Sequence, residues 1–224
     1  NAATITGLTV TGSKSVEFTG GGVGATKTIS ISTSISQTNS FNISVLETSA
    51  DNPSYSIGGL IGDFVLNGTQ TINNNSLTIS GNYTLNTAGG TTTLVAGTNA
   101  WSFLNTTTQT TLNSGGVTHD FPITIGTSSS GSGVQLVTNG LTVGNTRAFT
   151  HNSGTVDLNN LTLSTGTFVS TPSQGRTLAF GSSGQITVTY AGGTSPTIVF
   201  NIQGSLWSTT GTGNVVEAGT SNVS

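Results

Sequence analysis

Short runs in which an apolar residue alternates with threonine or serine recur along the whole chain, and glycine or asparagine cuts each one off after a few residues. Residues 4–10 read TITGLTV, 27–31 KTISI, 41–46 FNISVL, 77–80 LTIS, 161–164 LTLS, 186–190 ITVTY and 197–202 TIVFNI. A period of two places successive side chains on opposite faces of a strand. Val, Ile and Phe beside Thr suit a pleated, half-buried surface. The separators include GGG at 20–22, NNN at 73–75, NSG at 152–154 and GSSG at 181–184. These residues accept positive φ at low cost and read as turns. No window carries the period of an amphipathic helix, so the fold class is all-β with many short strands.

Charge narrows the function. Only 5% of residues are charged, and the formal net charge is −3. The basic residues are Lys14, Lys27, Arg147 and Arg176. Nucleic-acid binding needs clustered positive charge, so nucleic acid is not an expected partner. An apolar fraction of 32% with so little net charge also argues against disorder. Cysteine is absent, which removes disulfides and thiolate metal sites from consideration. No apolar run approaches the ~20 residues of a membrane-spanning helix, so membrane insertion is not expected. The chain starts at Asn1 and contains no Met, and is expected to be processed or part of something longer. No cofactor is expected.

Two architectures yield many short strands: an antiparallel β-sandwich, kept as the alternative, and a parallel β-solenoid or β-helix. Internal spacing favours the solenoid. The pairs Val134/Leu136, Val156/Leu158, Leu178/Phe180 and Phe200/Ile202 recur at intervals of 22. Trp101/Phe103, Phe121/Ile123, Leu141/Val143 and Leu161/Leu163 recur at intervals of 20. Coils of about 20–22 residues are therefore expected, each with three short strands and three turns. The solenoid is assigned to residues 96–205, with 206–224 as a tail or cap. Residues 1–95 repeat less cleanly and read as an irregular continuation or a small β-domain. Asparagines at turns, such as 73–75 and 159–160, are expected to form amide ladders between coils.

The second half resembles a known group of proteins. The motifs are WSF at 101–103, TLNSGG at 111–116, HDFPITI at 119–125 and VQL at 134–136. GLTVGNTRAFTHNSGTVDLNNLTLSTGTF at 140–168 and RTLAFGSSGQITVT at 176–189 follow in order. This series resembles the repetitive Thr/Gly/Asn-rich β-solenoid proteins of bacteriophage virions, especially tail-fibre-like proteins of aquatic phages, and of bacterial surface proteins. The resemblance implies a stacked β architecture, a structural or adhesive role, and an extracellular or virion setting. It carries no catalytic motif.

Few residues offer chemistry. His119, Asp120, His151 and Asp157 form the only His/Asp grouping, and stacking of coils could bring 119 towards 157. A metal site or an acid/base pair is the functional reading. No HxH or HxxxH spacing supports it, so exposed turn or strand-edge residues are the plainer expectation. The carboxylates are scattered, whereas glycoside hydrolysis needs two across one sugar. GGVG at 21–24 lacks the GK[ST] of a phosphate loop and reads as a turn. Trp101 and Trp207 are either sugar-stacking surface residues or plugs at the ends of the core. The expectation is therefore not an enzyme but a virion structural protein, tail-fibre-like or capsid-decorating. Its partners would be other virion or filament subunits, a cell-surface glycan, or further copies of itself. A bacterial adhesin or filament subunit is the alternative, and a glycan depolymerase the third reading.

Overall fold

A computed structural model describes residues 14–19, 41–47, 52–127, 131–170 and 175–190. It also describes the backbone of strands Lys27–Ser30, Thr197–Phe200, Trp207–Thr210, Val215–Glu217 and Asn222–Val223. All pairings between these strands are parallel, which excludes the antiparallel sandwich and leaves the β-solenoid. Each coil lays one strand on each of several sheets, and the next coil repeats the path.

A first sheet of nine strands runs from Lys14–Thr19 through Phe41–Glu47, Phe64–Gly68, Tyr83–Asn86, Thr110–Asn113, Gly133–Leu136, Gly154–Asp157 and Arg176–Ala179 to Trp207–Thr210. A second sheet stacks Leu77–Ile79, Trp101–Phe103, Ile123–Ile125, Ala148–His151, Thr167–Ser170 and Thr197–Phe200. Strand Ser54–Ile61 begins it and also belongs to a branch, in which Lys27–Ser30 pairs with it from the preceding coil. Residues 59–61 pair with Leu77–Ile79, whereas 54–56 pair with 71–73. Gly59, at φ +102°, lets the strand bend between the two. The branch ends at Thr92–Leu94. A third sheet then opens at Thr118–His119 and continues through Leu141–Val143, Thr162–Thr165 and Gln185–Val188 to Val215–Glu217. In the order of the coil, the third sheet takes the place the branch held in earlier turns.

The sheets cross residues 89–97 without a break: Tyr83 pairs with Leu112, and Leu77 with Trp101. The coils on either side of that segment therefore belong to one stack. Coil length varies more than the sequence repeat suggests. It is 19 from Phe64 to Tyr83, 29 from Tyr83 to Leu112, and 31 from Leu178 to Thr209.

The 22-residue row is real for Val134, Val156 and Leu178. It stops there, because Leu178 faces Thr209 while Phe200 pairs with Ser170 on the second sheet. The 20-residue row is not formed. Trp101 pairs with Ile123, and Leu141 with Leu163 on a different sheet, so both follow the longer spacing. The physical reason is that a slip of two leaves every inward side chain inward. Alternation alone therefore cannot distinguish the two spacings.

Inward positions are mostly apolar and sealed, as the buried–intermediate–buried pattern of Trp101–Phe103 and Ile123–Ile125 shows, with Glu47, Gln70, His119, His151 and Arg176 among the buried polar residues. Burial of each apolar side chain contributes about 1.5–3 kcal/mol. Gly133 marks how closely the coils approach. At φ +100°, a Cβ there would collide with the Thr155 carbonyl oxygen. Side chains also tie coil to coil at the first sheet. The Asp63 N–H donates to Asn42 Oδ1 (2.9 Å), and the Asn82 N–H to Asp63 Oδ1 (2.7 Å). The Thr111 N–H and hydroxyl both donate to Asn82 Oδ1, at 2.9 and 3.0 Å. The expected asparagine ladder thus runs through Asn42, Asp63 and Asn82. At the turns named from the sequence, Asn74 instead bonds Asn99 reciprocally, and Asn160 Oδ1 accepts from Ser182 and Ser183.

Candidate functional site

The structure separates the four polar candidates. His119 lies on the third sheet, paired with Val143, and is 1% exposed. Asp157 lies on the first sheet, between Gln135 and Ala179. The expected approach of 119 to 157 does not occur, because their strands belong to different sides of the coil. Among the described residues, no three of His, Asp and Glu converge as metal ligands.

Each histidine has a local role instead. His119 Nδ1 lies 2.9 Å from the Val117 carbonyl oxygen, and Nε2 lies 3.1 Å from the Tyr83 hydroxyl. A carbonyl only accepts, so Nδ1 carries the proton and Nε2 accepts from Tyr83. Burial pulls the His119 pKa down to about 4, against the opposing pull of the Val117 carbonyl. His151 Nε2 donates to the Gly154 carbonyl at 2.9 Å, and its ring is fully buried. Its pKa is also lowered to about 4, first by burial and further by the charge of Arg176, with the Gly154 bond opposing. Both rings are buried, which corrects the expectation of exposed turn or strand-edge residues, and both are neutral near pH 7. Asp157 accepts from Gln135 Nε2 (2.7 Å) and caps the turn through the Asn159 N–H (2.8 Å).

Trp101 sits inside the stack, 1% exposed, with Leu77 and Ile123 beside it on neighbouring coils. It offers no surface for sugar stacking and does not sit at an end. Its ring lies 4.6 Å from Phe121, 5.7 Å from Tyr83 and 5.8 Å from Phe64. The side chain of Trp207 lies outside the described residues; its backbone pairs with Arg176.

The third sheet carries an open groove of about 330 Å³ that sequence reasoning missed. Thr118, Asp120, Thr142, Val143, Gly144, Asn145, Ser164 and Thr189 line it. Register explains the lining. Thr118 pairs with Thr142, Thr142 with Ser164, and Ser164 with Thr187, so one outward hydroxyl row crosses four coils. Beside it Gly144 leaves room for Asp120, since a Cβ at Gly144 would collide with Asp120 Oδ1. Asp120 in turn accepts from Arg147 Nε at 2.9 Å. The groove therefore presents hydroxyls, an amide and a neutralised ion pair. The sequence offered little signal for it, since of this row Thr142 alone is the middle residue of a Leu-Thr-apolar tripeptide.

Comparison with protein-family models, curated proteins and solved structures found no match to this chain.

Proposed function

We propose that this chain is a rigid, non-enzymatic structural rod of an extracellular assembly that contacts a surface through rows of uncharged side chains. The observation that carries this reading is the first sheet, paired coil on coil from Lys14 to Thr210, with polar side chains tying coils together. A stack of this kind resists bending because each coil is hydrogen-bonded to both neighbours. The titratable groups support the same reading. His119 and His151 serve the core, and Asp157 serves a turn. In the groove, Asp120 is the single carboxylate and is held by Arg147, an arrangement that does not favour glycan cleavage by paired acids.

The resemblance of residues 101–189 to repetitive Thr/Gly/Asn-rich β-solenoid proteins of phage virions, tail-fibre-like ones above all, and of bacterial surfaces suggests the assembly: a phage virion, with a bacterial surface filament or adhesin as the alternative. Immunogold electron microscopy of the native source, using an antibody to this chain, tests the setting. Gold on virus particles is expected, and its position separates fibre from capsid decoration. Gold confined to cells or cell-derived filaments would replace the virion reading with the adhesin one.

A further inference from the structure

We propose that the groove of the third sheet binds a neutral, extended polysaccharide lying along the solenoid axis, with successive sugar rings on successive coils. This rests on the attachment reading above and names its ligand and its site.

The row Thr118, Thr142 and Ser164 repeats once per coil, and the groove's lining continues to Thr189 on the next coil. Adjacent parallel strands lie about 4.8 Å apart, so three steps span roughly 14 Å. An extended glycan advances by close to one such coil step per sugar. A ligand with that repeat meets equivalent hydroxyls at each step, whereas a compact ligand would use only one coil. Thr118, Thr142, Asn145 and Thr189 are exposed, and Ser164 is half-buried at the groove floor. Hydroxyls and amides donate and accept, which is the pairing that sugar hydroxyls require.

Charge selects the neutral class. The groove's carboxylate, Asp120, is already matched by Arg147. An anionic polymer would meet that carboxylate with no cation left over from the pair. A peptide strand is disfavoured for another reason. Leu141–Val143 and Thr162–Thr165, behind the groove, are each paired on both sides, so neither offers an edge for strand addition. The lining also lacks an aromatic platform, so each ring binds weakly and affinity accumulates along the polymer and over copies of the chain.

Affinity electrophoresis of the whole chain through gels containing hydroxyethyl cellulose, glucomannan or galactomannan, neutral polymers with extended β-1,4-linked backbones, tests this, with alginate as the anionic probe. At least one neutral polymer should retard the protein, and added salt should change the retardation little. Thr142→Arg should weaken that binding about tenfold or more, the equivalent of ~1.4 kcal/mol. Thr124→Arg, on the outward face of the second sheet, should not. Ser164→Ala, which removes one hydroxyl and adds no bulk, should weaken retardation severalfold at an unchanged unfolding midpoint. The proposal is overturned if no neutral polymer retards the protein, if alginate binds best, or if Thr142→Arg and Thr124→Arg behave alike. Gold on cells instead of virions would leave a positive polysaccharide result standing. Failure to bind polysaccharide would likewise leave a virion location intact.

Discussion

The coils between residues 133 and 190 and those between 83 and 125 solve the same packing problem differently. In the later coils, Val134, Val156 and Leu178 stack at a constant spacing, and Leu141 stands on Leu163 and Leu163 on Ile186. Side chains of similar size repeat, so each coil is a template for the next. In the earlier coils the spacing stretches between Tyr83 and Leu112, the branch ends at Leu94 and the third sheet opens at Thr118. Where one ladder stops before the other begins, a backbone bond from the Gly97 N–H to the Asp120 oxygen (2.9 Å) bridges the change. The interior there is filled by Phe64, Tyr83, Trp101, His119 and Phe121, whose rings meet at 4.6–6.1 Å. The difference teaches that this solenoid does not need identical coils. It can change sides where a cluster of large rings replaces the aliphatic ladders of the first and third sheets, the rings of the later coils meeting in pairs such as Phe149 and Phe168.

The comparison breaks most visibly at Trp101. Trp101→Ala should cost about 3–5 kcal/mol in urea unfolding, whereas Leu178→Ala in the regular stack should sit near the low end of about 2–5 kcal/mol. Equal losses would mean the rings at the junction have no special part.

Acid should act on both regions. Each histidine has a folded pKa of about 4 against 6.5 unfolded, so the unfolded chain takes up protons first as pH falls. Stability is therefore full above about pH 6.5 and declines down to about pH 4, by up to about 3 kcal/mol per histidine. Denaturation midpoints at intervals across that window measure the loss. His119→Gln and His151→Gln should each remove about half of the pH slope. If one substitution removed all of it, only one region would be sealed from water.

The side-chain tie across the long coil should matter less. Asn82→Ala removes the acceptor for both Thr111 donors and should cost about 1–2 kcal/mol. Hydrogen exchange should place the loosening at 110–113, leaving Val134–Leu136 protected. Smallest is Arg147→Ala. Its ion pair with Asp120 is partly exposed, so its loss should change stability by less than about 1 kcal/mol. A larger effect in thermal unfolding would show that the groove is part of the scaffold.

Much of the fold was legible in the sequence. Alternation in LTI at 77–79, ITI at 123–125 and LTV at 141–143, with glycine and asparagine between such runs, sets strand length and inward faces and argues against helix. The regular return of Val134, Val156 and Leu178 shows that coils stack. The register elsewhere was not legible, because a slip of two keeps the same faces buried and the corners vary in length. Trp101 was misplaced at an end because a single ring gives no sign of what stands above and below it. The groove was hidden for a related reason. Thr118, Thr142 and Ser164 are unremarkable one at a time, and become a row only once register sets them side by side.

Corners of unequal length carry one more consequence. Between Phe103 and Thr110 the chain turns a corner that exposes Thr106–Gln109, while Ser132 of the next coil bonds the carbonyls of Asn105 and Thr108 at its two sides. Lengthening such a bulge leaves the paired strands untouched, and each doubling of a flexible loop costs only about 0.6 kcal/mol. Evolution can therefore vary what these knuckles display without retuning the shaft, and an engineer could graft an epitope there on the same terms.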